Sequence, residues 1–177
     1  MNRAVFLDRD GVLNRAIIRN GKPYPPSCLA ELEILPGARE ALTRLRHEGF
    51  RLIVVTNQPD VARGTQTRAS VEQMNGWLKA RLPLDEFRVC YHDDNDQCSC
   101  RKPAPGLIVE AAKDWDVDLS KSFVIGDRWR DIEAGCRAGC ITVFIEHDYV
   151  DRHPENPAFR SKSLSEAVWW VLSQIKQ

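Results

Sequence analysis

Short apolar runs separated by helical patterns decide what this chain can fold into. RAVFL (3–7), RLIVVTN (51–57), FRVCYH (87–92), SFVIGD (122–127) and CITVFI (140–145) are rich in β-branched and aromatic residues and too short to be helices. Helical patterns lie between and after them. LPGAREALTRLRHEG is opened by Pro36 and closed by Gly49, and a second helix carries Val71, Met74, Trp77 and Leu78 on one face behind a Ser70/Gln73 capping box. Two more centre on GLIVEAAKDW and RDIEAGCRAG, and Ser163 with Glu166 cap a last one through Ile175. Strands alternating with helices predict an α/β fold in three layers, a central parallel sheet covered on both faces. The Pro-rich stretch NGKPYPPSC reads as irregular loop, and no repeat or linker interrupts a single expected domain over residues 1–177.

Ligands of an open parallel sheet sit beyond the carboxyl ends of its strands, so the chemistry should collect there. Asp8 and Asp10 follow the first strand, and Thr56, Asn57 and Gln58 follow the second. Arg101 and Lys102 come shortly after the third, and Asp127 and Asp131 after the fourth. Taken singly, these are ordinary residues: an Asp before Gly forms turns, a lysine is usually solvated, and an acidic residue in a helix's first turn suits the helix dipole. Together they are the set a Mg²⁺-dependent phosphoryl-transfer site needs. Carboxylates hold the hard cation, while the lysine and hydroxyl take phosphate oxygens. A cation would also relieve the repulsion between Asp8 and Asp10.

CYHDDNDQCSC (90–100) brings Cys90, His92, Cys98 and Cys100 into eleven residues, the ligand set of a closed structural Zn²⁺ site. A Cys98–Cys100 disulfide is disfavoured by that spacing and by a reducing compartment. Cys136 and Cys140, beside apolar residues, are expected to be buried packing thiols, and Cys28 carries no signal. His47, His147 and His153 have no partner in the pattern and are expected at the surface or in loops.

Four stretches carry a resemblance. FLDRDGVLN, VVTN, the Lys102 of CRKPAPG and IGDRWRDIEAG are similar, in order and spacing, to the four motifs of the haloacid dehalogenase superfamily. The resemblance implies a Rossmann-like sheet and an aspartyl-phosphate mechanism. Asp8 would be the nucleophile and Asp10 the acid/base. Thr56 and Lys102 would bind the phosphoryl group, and Asp8, the Asp10 carbonyl and Asp127 would hold Mg²⁺ with Asp131 in support. The Cys/His loop directly before RKP, with LPGAREAL and VVTNQ, resembles the subgroup of D-glycero-D-manno-heptose 1,7-bisphosphate 7-phosphatases and histidinol-phosphate phosphatases. Members of that subgroup lack a large cap, and the segment between Asn14 and Leu35 is too short to form one. Asn57, Gln58, Arg101, Lys102 and Arg128 are then the expected substrate-binding side chains, the arginines meeting a second anionic group. Pro59 and Asp60 after NQ, and YHDDND within the loop, depart from the subgroup's pattern and bear on substrate identity.

Other functions fit less well. With 25 basic and 25 acidic residues the chain has no net field to recruit nucleic acid or membrane, and Asp93, Asp94 and Asp96 make the loop unlike a nucleic-acid zinc knuckle. A phosphoaspartate receiver would not place an acid/base two residues after its nucleophile. No run reaches the ~18 apolar residues of a membrane helix, so a cytoplasmic, monomeric enzyme acting on a small phosphorylated molecule is expected.

Overall fold

The computed structural model describes residues 1–175. Its centre is a six-stranded sheet built from β1 (Arg3–Leu7), β4 (Phe50–Asn57), β5 (Glu86–Cys90), β6 (Phe123–Gly126), β7 (Ile141–Ile145) and β8 (Phe159–Ser161). The order is β5-β4-β1-β6-β7-β8, every neighbouring pair is parallel, and β1 lies between β4 and β6. Successive side chains of a strand point to opposite faces, so each inner strand feeds two cores. Val5, Leu7, Leu52 and Val54 face α1 (Ala38–His47), α2 (Arg68–Lys79) and α5 (Leu164–Gln174). Ala4, Phe6, Ile53 and Val55 face α3 (Gly106–Asp114), with Val124 and Ala134 bringing in α4 (Trp129–Ala138). The α/β/α layering and the parallel sheet match the expectation.

Four local expectations are corrected. The Pro-rich stretch holds an antiparallel hairpin, β2 (Ile17–Arg19) with β3 (Lys22–Tyr24), and its Asn20-Gly21 turn has φ of 51° and 73° at the two residues. That pair is the strongest short-range hairpin signal. Helix α2 starts earlier than its expected capping box: Thr67 is the N-cap and accepts from the Ser70 N–H at 3.1 Å. A sixth strand, β8, was not expected. Finally, Cys136 is exposed and Cys140 half-buried, so neither is a fully buried packing thiol. Among the described residues the segment joining β1 to α1 holds only the hairpin and a one-turn helix at Leu29–Glu31, with no large cap. No helix of the described residues is long and apolar enough to cross a membrane.

Candidate active site

The carboxyl ends of β1, β4 and β6 converge on one ammonium group. Lys102 Nζ, 3% exposed, donates to Asp8 Oδ1 at 2.9 Å and to the Val55 carbonyl at 2.7 Å, and lies 2.5 Å from Asp131 Oδ1. All three of its protons therefore have acceptors. Burial alone would lower the lysine's pKa, but the Asp131 and Asp8 carboxylates raise it and keep the cation charged. Asn57 holds the lysine's backbone, donating to the Lys102 carbonyl and accepting from its N–H, both at 3.1 Å.

Asp8, Asp127 and Asp131 each offer an oxygen within 4.8 Å of the other two. They are not equally free. Asp131 gives one oxygen to Lys102 and the other to the Arg128 N–H at 2.9 Å, capping α4. Asp127 is 2% exposed and neither of its oxygens makes a hydrogen bond of good geometry, although the Tyr149 hydroxyl is near enough to pull its pKa down somewhat. Burial, then Asp8 and Asp131, push its pKa well up. Burial first and Asp131 next push Asp8 up to about 6, against the pull of Lys102. A buried carboxylate with two idle oxygens facing a second carboxylate is an arrangement that a hard cation would complete. Gly11, at φ +88°, is required beside it, because a Cβ there would stand 2.0 Å from Asp127 Oδ2.

Asp10 turns its carboxylate to the protein. Arg9 Nε and Nη2 donate to it at 3.1 and 3.0 Å, Asn14 Nδ2 at 2.9 Å and Gln58 Nε2 at 2.8 Å. Gln58 also donates to Thr56 Oγ1 at 3.0 Å and is 1% exposed. Of the expected substrate-binding residues, Gln58 is thus committed to Asp10 and Thr56, and Asn57 to the lysine's backbone.

Asp8, Asp10, Thr56, Lys102, Asp127 and Asp131 line a cleft of about 440 Å³ along whose wall Lys22, Arg63, Arg101, Arg128 and Arg130 outnumber Asp60 and Asp94. Loop acids partner the arginines. Arg101 Nε and Arg130 Nη1 both meet Asp94 Oδ1 at 2.9 Å, Arg63 reaches Asp93 at 2.6 Å and Arg128 reaches Asp151 at 2.5 Å. The hydrogen bond from Arg101, reinforced by Arg130, holds Asp94 down to about 2. Arg130, Arg63 and Lys22 were not singled out from the sequence. His147 lies in a loop as expected, but it has partners the pattern did not show: its Nε2 donates to the Gly11 carbonyl at 2.8 Å while its ring stacks on Tyr149. His47 and His153 are exposed as expected.

Next to the cleft, Cys90, His92, Cys98 and Cys100 put four ligand atoms within 4.8 Å of one another. The Sγ–Sγ separations are 3.1, 3.4 and 3.7 Å, and His92 Nδ1 lies 3.2 Å from Cys100 Sγ. A tetrahedral zinc with ordinary Zn–S bonds sets such edges at about 3.8 Å, so this cluster fits a metal. Burial pushes Cys90 up, whereas donors from Cys100, the Arg101 backbone and Cys90 bring Cys98 down to about 7 despite its own burial.

The model of the family described as "Hydrolase: haloacid dehalogenase-like hydrolase" matches residues 26–139, more than half of the chain. This chain belongs to the haloacid dehalogenase-like hydrolases. Its relatives place it among the phosphoric monoester hydrolases of that family. A D-glycero-beta-D-manno-heptose-1,7-bisphosphate 7-phosphatase of Helicobacter pylori is 37% identical across 96% of this chain and 97% of its own length. A Rhodopseudomonas palustris protein of the same name is 34% identical across 84% and 86%. Among solved structures, the D,D-heptose 1,7-bisphosphate phosphatase of B. bronchiseptica, crystallised with magnesium and phosphate, superposes with a TM-score of 0.84. It is 27% identical and the match covers 97% of this chain and 99% of that one.

Proposed function

We propose that this hydrolase is a Mg²⁺-dependent phosphatase that removes one phosphoryl group from a small sugar bisphosphate through an aspartyl-phosphate. The substrate favoured is D-glycero-D-manno-heptose 1,7-bisphosphate, cleaved at position 7. The observation that carries the reading is the buried Lys102 ammonium beside Asp8, at the floor of a cleft with basic walls. An Asp8 oxygen forms a bond to phosphorus as the bond to the sugar oxygen breaks, and Asp10 gives that oxygen its proton. Water then attacks the phosphorus and returns a proton to Asp10, releasing phosphate and restoring the Asp8 carboxylate. Thr56 and Lys102 hold the phosphoryl oxygens. Asp8, Asp127 and the Asp10 carbonyl are the residues that would hold Mg²⁺, which when bound supplies positive charge against the phosphoryl oxygens. The arginines at the rim suit a second anionic group, which is why a bisphosphate is preferred to histidinol phosphate, the other substrate considered.

A phosphate-release screen tests the substrate. The heptose 1,7-bisphosphate is expected to exceed both the matching monophosphate and histidinol phosphate by about tenfold or more in kcat/KM, the worth of one charge-assisted contact. Arg130→Gln should shrink that margin. Equal rates on all three would leave a broad-range phosphatase and remove the bisphosphate assignment.

The Cys/His cluster is read as a structural zinc site that shapes the loop leading into Arg101 and Lys102. The protein, purified under reducing conditions without chelator, should carry about one zinc per chain, with Cys98→Ser losing it and loosening the loop while Mg²⁺ binding survives. A wild-type protein free of zinc under those conditions rules the site out. The reading also takes the enzyme to be monomeric, which light scattering checks directly.

A further inference from the structure

The largest fully buried side chain in the protein is a charged one, and the reaction above gives it nothing to do. Arg9, 0% exposed, lies between the two proposed catalytic aspartates in sequence. Its Nε and Nη2 straddle the Asp10 carboxylate at 3.1 and 3.0 Å, and its Nη1 donates to Asn75 Oδ1 at 2.9 Å. Asn75 is itself buried and sits on α2, so the guanidinium is fixed at both ends. Any cation would balance the charge of Asp10. Only a planar fork also sets the plane of the carboxylate.

The remaining donors to Asp10 are of a different kind. Asn14 and Gln58 are neutral amides, and Gln58 bridges Asp10 Oδ2 to Thr56 Oγ1, the hydroxyl at the floor of the cleft. An amide can turn aside, whereas a buried guanidinium anchored on α2 cannot. The Gln58 edge of Asp10 is the one that leads to Thr56, and Asp10 and Thr56 line the cleft together with Asp8 and Lys102, whereas Arg9 does not reach it.

We propose that Arg9 is a positioning residue for the leaving-group step: it holds the plane of Asp10 so that the edge toward Thr56 meets the departing oxygen. This rests on the phosphatase reading above. In that step the bond between phosphorus and the leaving oxygen breaks as the bond to Asp8 forms, and the proton on Asp10 moves to the leaving oxygen. Arg9 touches neither substrate nor phosphorus. Its removal should matter in proportion to how much the leaving group needs that proton.

Three esters of one phosphoryl group separate this from a merely structural role: p-nitrophenyl, phenyl and benzyl phosphate, whose leaving oxygens rise in basicity in that order. The series does not depend on sugar recognition. With Arg9→Met, kcat/KM, which reports no step after the leaving group departs, should fall about 10- to 100-fold on benzyl phosphate, part of what a positioned acid supplies, but no more than about threefold on p-nitrophenyl phosphate. Arg9→Lys should restore part of the benzyl phosphate rate. Asn75→Leu, which keeps the guanidinium and frees its far end, should tilt the series the same way by a smaller factor. Circular dichroism checks folding, and if Arg9→Met does not fold, Arg9→Lys and Asn75→Leu decide. Equal losses on all three esters, or an unchanged series, would overturn the proposal. A wild-type enzyme that hydrolyses none of the three would instead bring down the phosphatase reading on which it rests.

Discussion

Asp8→Asn should lose turnover on every phosphate ester by about 10⁴-fold or more, because an amide cannot take the place of the attacking carboxylate. The fold should survive. Asn is nearly isosteric, and Lys102 keeps Asp131 and the Val55 carbonyl as partners. Burial holds the Asp8 carboxyl up at about 6, so replacing it also removes a charge that the folded protein accommodates poorly. Turnover in heavy-oxygen water gives a second readout. In a single turnover, attack of water at phosphorus puts solvent oxygen into phosphate and returns both Asp8 oxygens unlabelled, whereas attack at the Asp8 carboxyl carbon would leave the label in Asp8. A variant with near wild-type turnover on any ester would end the covalent mechanism.

Asp127→Asn should separate activity from stability. Turnover should fall by about 10³-fold or more, since a ligand that positions the metal's charge is worth several kcal/mol. Stability in Mg²⁺-free buffer should rise. The folded-state pKa of Asp127 lies well above its unfolded value near 3.8, so between those two pH values the folded protein binds the extra proton. The sign is therefore that stability is lost as pH rises through that window and the whole penalty is present once Asp127 ionises. The variant, relieved of that penalty, should melt at a higher temperature than wild type at neutral pH. The gap between variant and wild type should widen as pH is raised from about 4, and added Mg²⁺ should close it by stabilising only the wild type. A variant that melts below wild type at neutral pH without Mg²⁺ would show that Asp127 is satisfied by some other means.

What could be read from the sequence was what local chemistry writes locally. Asp8, Thr56 and Asp127 each end an apolar run, and a parallel sheet turns that shared position into proximity, while Lys102 reaches the same rim from the loop that follows β5. The Cys/His cluster was legible for the same reason, its ligands being close in sequence. Strand β8 was not, because FRS at the sheet edge is short and only one of its residues is fully buried, leaving no apolar run. The hairpin did announce itself in Asn20-Gly21, but the flanking prolines masked it. Thr67 was overlooked as a cap because Ser70 and Gln73 offered a competing box one turn later. His147, Arg130 and the burial of Arg9 lay beyond reach, since each depends on which distant segment is laid against it.

The order of the sheet sets when this enzyme comes into being. Strand β1 carries Asp8 at its end, yet its neighbours β4 and β6 are made later, β6 only after β4 and β5. The bond between Lys102 and Asp8 joins positions 94 residues apart. During synthesis the earliest strand must therefore wait, apolar and unpaired, while the segments that flank it emerge. Contacts of such long sequence separation form slowly and leave partly made chains open to aggregation. A ribosome-bound chain that stops before β6 has Asp8, the proposed nucleophile, but lacks Asp127 and Asp131, so the proposed site is complete only when β6 and the first turn of α4 have emerged.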